Sequence, residues 1–336
     1  MRTLKVAFLG ARHPHVLPRL ALCQAEDAVV VTGLYDNDKG ITQTISQQYH
    51  VPAASNAEEL LGEPNLDLVV VDGFDFENPA YVEKAAGRSR MLLIEKPGAP
   101  NLDAMERMVD AIRAAGIHAQ LGYMYSYSPV VKKTRELLHS GVLGPATLAR
   151  FHAGAPVGCG AEIWQSLPQD MGGTFFTDGC HMLDLVVHLL GEPKRAYGSV
   201  LKLQNGPEVL ADIYKADVFS GLGAQAPMKL GSLVHEDVAA AVLEYPTLLA
   251  TFDVTSWEAH NWVEAWSMEF FGTDGTLKET AVGTGASLVA DENYRSEMAD
   301  IFRRLRDNAP PDLTRLQEGL VVVRVVDAVY RSAGWL

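Results

Sequence analysis

Short apolar runs alternate with amphipathic segments over roughly the first 120 residues. The runs predict five strands, because a strand buried on both faces is almost continuously hydrophobic. These strands are Leu4–Leu9, Ala28–Leu34, Leu66–Val71, Arg90–Ile94 and Ile117–Leu121. The segments between them predict helices at Pro14–Gln24, Asp38–Tyr49, Glu58–Leu61, Pro79–Ala86 and Asp103–Ala115. Strands that alternate with helices indicate an α/β fold with a doubly wound parallel sheet.

The pattern changes in the second part of the chain, where predicted strands follow one another. The strands are Thr147–Ala153, Arg195–Leu203, Ala211–Phe219, Val238–Tyr245, Thr247–Ser256 and Trp266–Gly272. Three helices are predicted at Pro129–Ser140, Thr174–Leu190 and Thr314–Ser332. We therefore predict a first domain over 1–122 and a second, α+β domain over 123–336, whose large open sheet is mostly antiparallel and carries helices on one face.

Composition narrows the classes of function. The 336 residues carry a net charge of −14, from 42 acidic and 28 basic residues, which disfavours nucleic acid as a partner. No apolar stretch approaches the roughly 20 residues of a membrane span. The first residues lack the features of a signal peptide, so we expect a cytoplasmic protein without a membrane partner. The cysteines, Cys23, Cys159 and Cys180, are too scattered for a disulfide framework or a metal site, and we expect no metal.

The segment Glu95-Lys96-Pro97 is the strongest chemical signal in the chain. It follows the apolar run Met91–Ile94, so it lies where a buried strand ends, and in an open α/β sheet the carboxyl ends of the strands line the ligand crevice. A lysine ammonium group there can hold a substrate hydroxyl and share a proton with it. Pro97 has a fixed φ and no N–H group, so it ends the strand and helps to orient Lys96. The competing interpretation is a surface lysine.

The first strand is followed by the turn Gly10-Ala11-Arg12-His13-Pro14-His15. A dinucleotide-binding fold normally places the pattern G-x-G-x-x-G here, and only Gly10 of that pattern is present. The turn can still direct backbone N–H groups of the next helix toward a pyrophosphate, with Arg12, His13 and His15 as further donors. The alternative is a helix N-terminus that binds no phosphate.

Asp36 ends the second strand, about 25 residues after this turn. An acidic residue at that position accepts hydrogen bonds from the adenosine ribose and repels a 2′-phosphate, which favours NAD over NADP as the cofactor. The alternative is that Asp36, Asn37 and Asp38 only form a turn and cap the next helix.

A histidine lies between two acidic residues in the second domain. Asp178, His181 and Asp184 are three residues apart in turn and share one face of a predicted helix. Two acidic groups that flank a histidine can orient its tautomer and raise its basicity. The pair Gly172-Gly173 before them permits a close backbone approach. A purely structural histidine is the competing interpretation.

Together these motifs resemble the Gfo/Idh/MocA oxidoreductase family, which includes glucose–fructose oxidoreductase and inositol dehydrogenase. Glu95-Lys96-Pro97 matches the E-K-P motif of the family, and His181 and Asp184 match the second half of its D-x-G-x-H-x-x-D motif. The similarity extends to three further segments and to the final helix. The segments are Leu121–Pro129, Gly141–Gly144 and Phe271–Leu277.

The resemblance implies an N-terminal Rossmann domain that binds NAD(P) and a C-terminal domain that carries the substrate and oligomer surfaces. Hydride would move between the nicotinamide and a carbinol carbon of a sugar or cyclitol. Lys96 would polarise the reacting oxygen, His181 would be the general acid/base, and Asp184 would orient His181 or a substrate hydroxyl. The chain would form a homodimer or homotetramer through the C-terminal sheet.

The resemblance also guides the remaining site residues. The family aspartate aligns with Thr177, and Asp178 lies one step away, so we assign Asp178 a catalytic role. The loop Asp72–Asp75 replaces the usual Thr-Pro-Asn and would bring two carboxylates near the cofactor. Substrate contacts are expected from Asp184, Tyr125, Thr177 and Trp164. Cofactor contacts are expected from Gly10, Ala11, Arg12, His13, Asp36, Asp72, Gly73, Phe74, Glu95 and Lys96.

Two other functions stay open at this stage. A catalytically silent regulator could keep the fold and bind a nucleotide or sugar, since the glycines are lost and the aspartate is displaced. An NAD-assisted glycoside hydrolase could oxidise its substrate transiently to labilise a neighbouring bond. The presence of Lys96 together with His181 favours a dehydrogenase.

Overall fold

A computed structural model of the chain describes residues 2–11, 13, 15–156, 173–204, 209–211, 228–231, 235–258, 266–280 and 292–336. These residues form two compact units. The first contains residues 2–122 and 292–320, and the second contains the other described residues. Within the described ranges, no helix is both long enough and apolar enough to cross a membrane.

The first unit is built on a five-stranded parallel sheet, as predicted. The strands are β1 (Leu4–Leu9), β2 (Val29–Tyr35), β3 (Leu66–Val71), β4 (Ser89–Ile94) and β5 (His118–Leu121). They are arranged in the order β2-β1-β3-β4-β5, with every neighbouring pair parallel. All six residues of β3 are buried, because the strand lies at the centre of the sheet. The doubly wound α/β class is therefore confirmed for this unit.

Helices connect these strands. They are α1 (Val16–Ala25), α2 (Lys39–Tyr49), α3 (Ala57–Leu61), α4 (Asn78–Ala85) and α5 (Leu102–Ala115). The carboxylate of Asp38 accepts hydrogen bonds from the N–H groups of Gly40 and Ile41 at the start of α2. Asn101 caps α5 through the N–H group of Ala104. Both caps satisfy N–H groups that have no partner within the helix.

One helix of the first unit was missed by the sequence analysis. Helix α9, Glu292–Arg306, returns to this unit from far along the chain. Four of its apolar side chains join the core that β1 and α1 share: Met298, Ile301, Phe302 and Leu305. This apolar face is buried within the first unit, although the helix lies inside the range 123–336 that the sequence predicts as one domain. The sequence analysis did not recognise this apolar face, because most residues of the helix are charged or polar.

The second unit contains a six-stranded, mostly antiparallel sheet in the order β13-β12-β6-β11-β10-β7, and only β6 and β11 are parallel. Its strands are β6 (Ala146–Pro156), β7 (Arg195–Leu201), β10 (Val238–Glu244), β11 (Leu249–Glu258), β12 (Ser267–Gly272) and β13 (Thr276–Thr280). A separate two-stranded sheet pairs β8 (Val209–Ala211) with β9 (Met228–Gly231). The predicted α+β class is confirmed, whereas β9 and β13 were not predicted, and most of the predicted strand 211–219 lies outside the described residues.

The helices of the second unit are α6 (Pro129–Ser140), α7 (Thr174–Thr177) and α8 (Gly179–Leu190), preceded by the 3₁₀ turn Met124–Tyr127. The last helix, α10 (Thr314–Ser332), belongs to the first unit up to Leu320 and to the second from Val321. The single helix predicted over Thr174–Leu190 is corrected to two, which meet at Asp178. Asp178 has φ −107° and ψ −47°, and it is followed by Gly179, so the backbone changes direction at this point.

Candidate active site

The carboxyl edge of the parallel sheet gathers four of the residues singled out in the sequence. Gly10 follows β1, Asp36 follows β2, Asp72 follows β3, and Glu95 follows β4. The three carboxylates are almost completely buried. Since the ends of parallel strands meet at one edge, this is where an α/β sheet binds ligands.

Gly10 is required by a close approach of two loops. Its φ is +92°, a left-handed conformation that side chains disfavour. A Cβ atom at this position would lie 2.4 Å from the backbone nitrogen of Gly73. Gly73 in turn leaves no room for a side chain, since a Cβ would lie 2.8 Å from the ring of Tyr81. The next residue of the loop, Phe74, donates its N–H group to Glu77 at 3.1 Å.

Asp36 fastens the turn after β1 to the turn after β2. Its Oδ2 accepts the N–H group of Ala11 at 2.8 Å, and its Oδ1 accepts the N–H group of Asp38 at 2.7 Å. Only 1% of its surface is exposed. The negative charge therefore lies at the end of β2 where the sequence placed it, and Asp38 rather than Asp36 caps the following helix.

A fully buried arginine, which the sequence analysis missed, holds the next two strand ends together. Arg19 of α1 donates through Nη1 to Asp72 at 2.8 Å and to Glu95 at 2.6 Å. Its Nε lies 3.7 Å from the carboxylate of Glu297 on α9. Its Nη2 donates to the carbonyl oxygen of Gly122 at 3.4 Å, and a Cβ on Gly122 would lie 1.9 Å from that nitrogen. Arg19 thus explains why glycine follows β5.

The sequence did contain a signal for this arginine. Arg19 lies on the same helical stripe as Val16, Leu20 and Cys23, which are all completely buried. A charged residue within an apolar stripe is almost never fully buried unless it is paired. Its carboxylate partners lie at the ends of β3 and β4 and within α9, so their identity could not be read from local sequence.

Two histidines of the first turn complete the surroundings of Glu95. The His15 Nδ1 lies 3.0 Å from the Glu95 Oε1, and the His13 Nε2 lies 3.5 Å from the same oxygen. The N–H group of His15 donates to the His13 Nδ1 at 3.3 Å. This bond assigns the proton of neutral His13 to its Nε2, and the His15 Nδ1 donates its own proton to the carboxylate of Glu95.

The same three side chains have donor atoms within 4.8 Å of one another, a separation that a metal ion could bridge. A metal on the His13 Nε2 would have to displace the proton that the hydrogen bond from His15 assigns to it. The guanidinium of Arg19 also lies against Glu95. The arrangement is therefore that of a carboxylate hydrogen-bonded to Arg19 and His15, with the His13 ring 3.5 Å away.

Burial and charge set the protonation of this cluster. Burial raises the pKa of Glu95 and Asp72, but for Glu95 the favourable electrostatic contacts with His13, Arg19 and Lys96 prevail, and its pKa lies below the ordinary value. For Asp72 burial prevails over the attraction to Arg19, and its pKa is raised. Burial also lowers the pKa of His13 and His15 well below the usual range, and the charges of Lys96 and Arg19 act in the same direction. Glu95 is thus ionised beside two neutral imidazoles.

Lys96 follows this anchored glutamate directly. It is 5% exposed, and its peptide bond to Pro97 is cis. The backbone around it is fixed, because the N–H group of Glu95 donates to Val71 at 2.7 Å and the side chain of Asn78 donates to the carbonyl oxygen of Glu95 at 3.2 Å. The lysine therefore lies at the end of a buried strand, on a backbone held from both sides.

The second unit presents His181 on the first turn of α8. The N–H group of His181 donates to the carbonyl oxygen of Asp178 at 3.1 Å. Asp178 and His181 are each 6% exposed, and Asp184, one turn further along, is completely buried. Thr177 is also completely buried, and its hydroxyl donates to the carbonyl oxygen of Gly173 at 2.9 Å. The hydroxyl proton is therefore used in a hydrogen bond to the backbone at the start of α7.

Three aromatic rings surround the imidazole of His181. The ring centroids of Tyr125, Tyr123 and Trp266 lie 5.0, 5.9 and 6.2 Å from it. Trp266 donates its indole N–H group to Gly154 at 2.8 Å and packs against Tyr125 at 5.4 Å. Of these rings the sequence analysis had singled out only Tyr125, because Trp266 lies far along the chain, at the start of β12. Arg12 and Trp164, which were also predicted to lie in the site, fall outside the described residues.

Two protein-family profiles match successive parts of the chain. Residues 4–123 match a family described as an oxidoreductase family with an NAD-binding Rossmann fold. Residues 131–278 match the GFO/IDH/MocA C-terminal domain. The two profiles correspond to the parallel and the mostly antiparallel sheet.

Individual proteins resemble the chain over its whole length. A D-xylose 1-dehydrogenase (NADP(+)) of Haloferax volcanii is 23% identical, with 95% of this chain and 93% of that protein aligned. The structure of levoglucosan dehydrogenase with NADH and levoglucosan has a TM-score of 0.81 at 14% identity and covers 99% of this chain and 98% of its own. The myo-inositol 2-dehydrogenase of Lactobacillus plantarum has a TM-score of 0.78 at 17% identity, with coverage of 99% and 98%. Structural similarity at such low identity establishes a shared fold.

Proposed function

The chain belongs to the GFO/IDH/MocA oxidoreductase family, and we propose that it is an NAD(P)-dependent dehydrogenase acting on a CH–OH group of a sugar or cyclitol, or on the corresponding ketone. The observation that carries this proposal is Lys96, which follows a glutamate fastened by Arg19, His13 and His15 at the carboxyl edge of the parallel sheet. A cation fixed in this way is suited to hold a substrate oxygen.

The first unit offers a suitable place for a dinucleotide. The turn after β1 has Gly10 in the left-handed conformation, and the side chain of His15, the N-cap residue of α1, makes no capping hydrogen bond. The first turn of α1 can therefore direct N–H groups at an anion. Gly10, Ala11 and His13 would line this place, and a bound nicotinamide supplies the hydride acceptor or donor.

We infer that the cofactor is NAD rather than NADP. The buried charge of Asp36 lies at the end of β2, and a 2′-phosphate placed there would be repelled. Asp36→Asn removes the charge and should therefore narrow the preference for NAD over NADP, although its amide NH2 group would face one of the two backbone N–H groups that the carboxylate accepts. Equal dissociation constants of the wild type for NAD and NADP would refute this inference.

In oxidation, the substrate hydroxyl loses its proton as hydride leaves the carbinol carbon. We assign Lys96 to the reacting oxygen, where its ammonium group stabilises the developing alkoxide. We assign the proton to His181, which takes it up during oxidation and returns it during reduction. Asp178 and Asp184 precede and follow His181 by three residues on the same chain segment and would favour its protonated form.

The remaining predicted contacts belong to the same proposal. Tyr125 packs against the ring of His181 and would form part of the substrate surface. Asp72, Gly73 and Phe74, in the loop after β3, would lie beside the cofactor. The contacts expected from Thr177 and Trp164 stay predictions, as does a homodimer or homotetramer formed through the second sheet, which sedimentation analysis would test.

A turnover screen against sugars and cyclitols separates the three candidate functions. Net production of NADH from a polyol supports the dehydrogenase. Binding of the nucleotide without turnover of any compound would support a silent regulator. Release of the leaving group from a glycoside, with no net NADH, would support redox-assisted glycoside cleavage.

A further inference from the structure

Glu236 is a buried carboxylate far along the chain from His181, and it lies two residues before the start of β10. Its side chain is completely buried. Its Oε2 accepts the N–H group of Gly173 at 2.8 Å, and its Oε1 accepts the N–H group of Phe175 at 2.9 Å. The hydroxyl of Tyr330 on α10 also donates to Oε1, at 2.7 Å. Three donors therefore meet on one carboxylate.

Two of these donors belong to the start of α7, the single helical turn before Asp178. The first N–H groups of a helix need acceptors, and the N-cap residue here is Gly173, which has no side chain to supply one. A helix of four residues is also too short to be stable by itself. Glu236 supplies the missing cap from another part of the chain.

Gly173 and Glu236 approach each other too closely for any residue but glycine at position 173. A Cβ atom on Gly173 would lie 2.5 Å from the backbone oxygen of Glu236 and 2.8 Å from its Oε2. Part of the glycine pair noted in the sequence is thereby explained by this approach of backbone and carboxylate.

A continuous series of hydrogen bonds leads from this cap to His181. Both the N–H group and the hydroxyl of Thr177 donate to the carbonyl oxygen of Gly173 at 2.9 Å. The N–H group of Asp178 donates to Thr174 at 3.2 Å, and that of His181 donates to Asp178 at 3.1 Å. A displacement of the start of α7 would be transmitted to the turn at Asp178 and to the imidazole.

We propose that Glu236 is a positioning residue, which holds α7 at its N-terminus and so sets the orientation of Asp178 and His181 without touching the substrate. The expected effect on turnover rests on the proposed function. The effect on the packing of α7 does not, because it can be observed without an assay of activity. Tyr330 shares the role, since its hydroxyl donates to the same carboxylate oxygen as the N–H group of Phe175.

The test compares Glu236→Gln and Tyr330→Phe with a matched control in the same unit. In Glu236→Gln the amide group presents a donor to one of the two helix N–H groups, whereas Tyr330→Phe removes only the hydroxyl. The control is Phe270→Leu, a buried substitution on β12 that packs against Phe151, outside this series of hydrogen bonds.

We expect Glu236→Gln to lower kcat about 10- to 100-fold, the order of a mispositioned acid–base group, with KM and the dissociation constant of NAD changed less than about twofold. Tyr330→Phe should show a smaller loss of the same kind. The Phe270→Leu variant should keep the wild-type kcat per folded molecule. A Glu236→Gln enzyme with wild-type kcat would overturn the proposal.

Hydrogen exchange gives a readout that does not depend on catalysis. Amide exchange over residues 173–181 should be at least about tenfold faster in Glu236→Gln than in the wild type, while Phe270→Leu leaves it unchanged. If the wild type shows no dehydrogenase activity, faster exchange still supports the cap and the proposed function fails alone. Unchanged exchange in Glu236→Gln would refute the positioning role whatever the activity.

Discussion

Arg19 and Glu95 form a completely buried ion pair, with 2.6 Å between the Nη1 of the guanidinium and the Oε2 of the carboxylate. The pair connects α1 to the end of β4, and Lys96 is the next residue of the chain. The same guanidinium also holds Asp72, the residue after β3. The position of Lys96 at the sheet edge therefore depends on an arginine that itself lies in the protein interior.

Replacement of Arg19 by methionine should lower the free energy of unfolding by about 3–5 kcal/mol, because it leaves the buried Glu95 and Asp72 without their cation. Urea titration measures the change. Arg113→Met is the control, since its guanidinium is 54% exposed and pairs with the exposed Asp110, and it should cost less than about 1 kcal/mol. Equal losses in the two variants would contradict the importance of the buried pair.

A second prediction concerns the stability that depends on the close approach of two loops at Gly10. Gly10→Ala should destabilise the protein by clearly more than Gly141→Ala. Both glycines have a positive φ, which alone costs about 1–2 kcal/mol for alanine. The Cβ at position 10 would in addition meet the backbone of Gly73, whereas position 141 has no atom within 4 Å. Thermal unfolding of both variants tests this, and similar melting temperatures would show that the loops can separate.

Acid should destabilise the folded protein through the two buried histidines beside Glu95. The pKa values of His13 and His15 are lowered in the folded protein by burial and by the nearby Lys96 and Arg19, so that both rings are neutral. An unfolded histidine titrates near pH 6.5, and the stability that the neutral ring contributes is therefore lost as the pH falls below that value. The stability advantage of the wild type over His13→Asn should shrink between about pH 7.5 and about pH 5.5. An advantage that grows toward acid pH would contradict the assignment.

The roles of Thr177 and Asp178 can be distinguished by substitution. Thr177→Asp should destabilise the protein by about 2 kcal/mol or more, because it buries a carboxylate against the carbonyl oxygen of Gly173. Thr177→Val should cost only about 1 kcal/mol, for one lost hydrogen bond.

Asp178→Asn should instead lower kcat and shift its pH profile, since an anionic neighbour favours protonated His181. A stable and more active Thr177→Asp enzyme would show that Asp178 has not taken over the role of the family aspartate.

Local sequence predicted most of the fold because the relevant signals are local. The strand Leu66–Val71 and the helices Pro129–Ser140 and Thr314–Ser332 have the bounds that their apolar patterns indicate. The same patterns placed Lys96 and Asp36 at strand ends. The break at Asp178 was missed, since an amphipathic pattern continues through it with almost no interruption.

The residues that hold the candidate site in place could not be predicted. Glu297 and Glu236 contact their partners only after distant parts of the chain have packed together. In the sequence each is one acidic residue among many, and the usual place of an unpaired acidic residue is the surface. Their burial depends on complementary donors, which Arg19, Tyr330 and two backbone N–H groups supply.

The central claim is that Lys96 acts on the reacting oxygen of a nicotinamide-dependent dehydrogenase. It is tested most directly by Lys96→Ala, assayed for NADH formation on a polyol that the wild type oxidises and, separately, for NAD binding by calorimetry. We expect turnover to be abolished while the dissociation constant for NAD changes by no more than a few-fold, because the lysine contributes to the chemical step. Near-normal turnover in Lys96→Ala would contradict it.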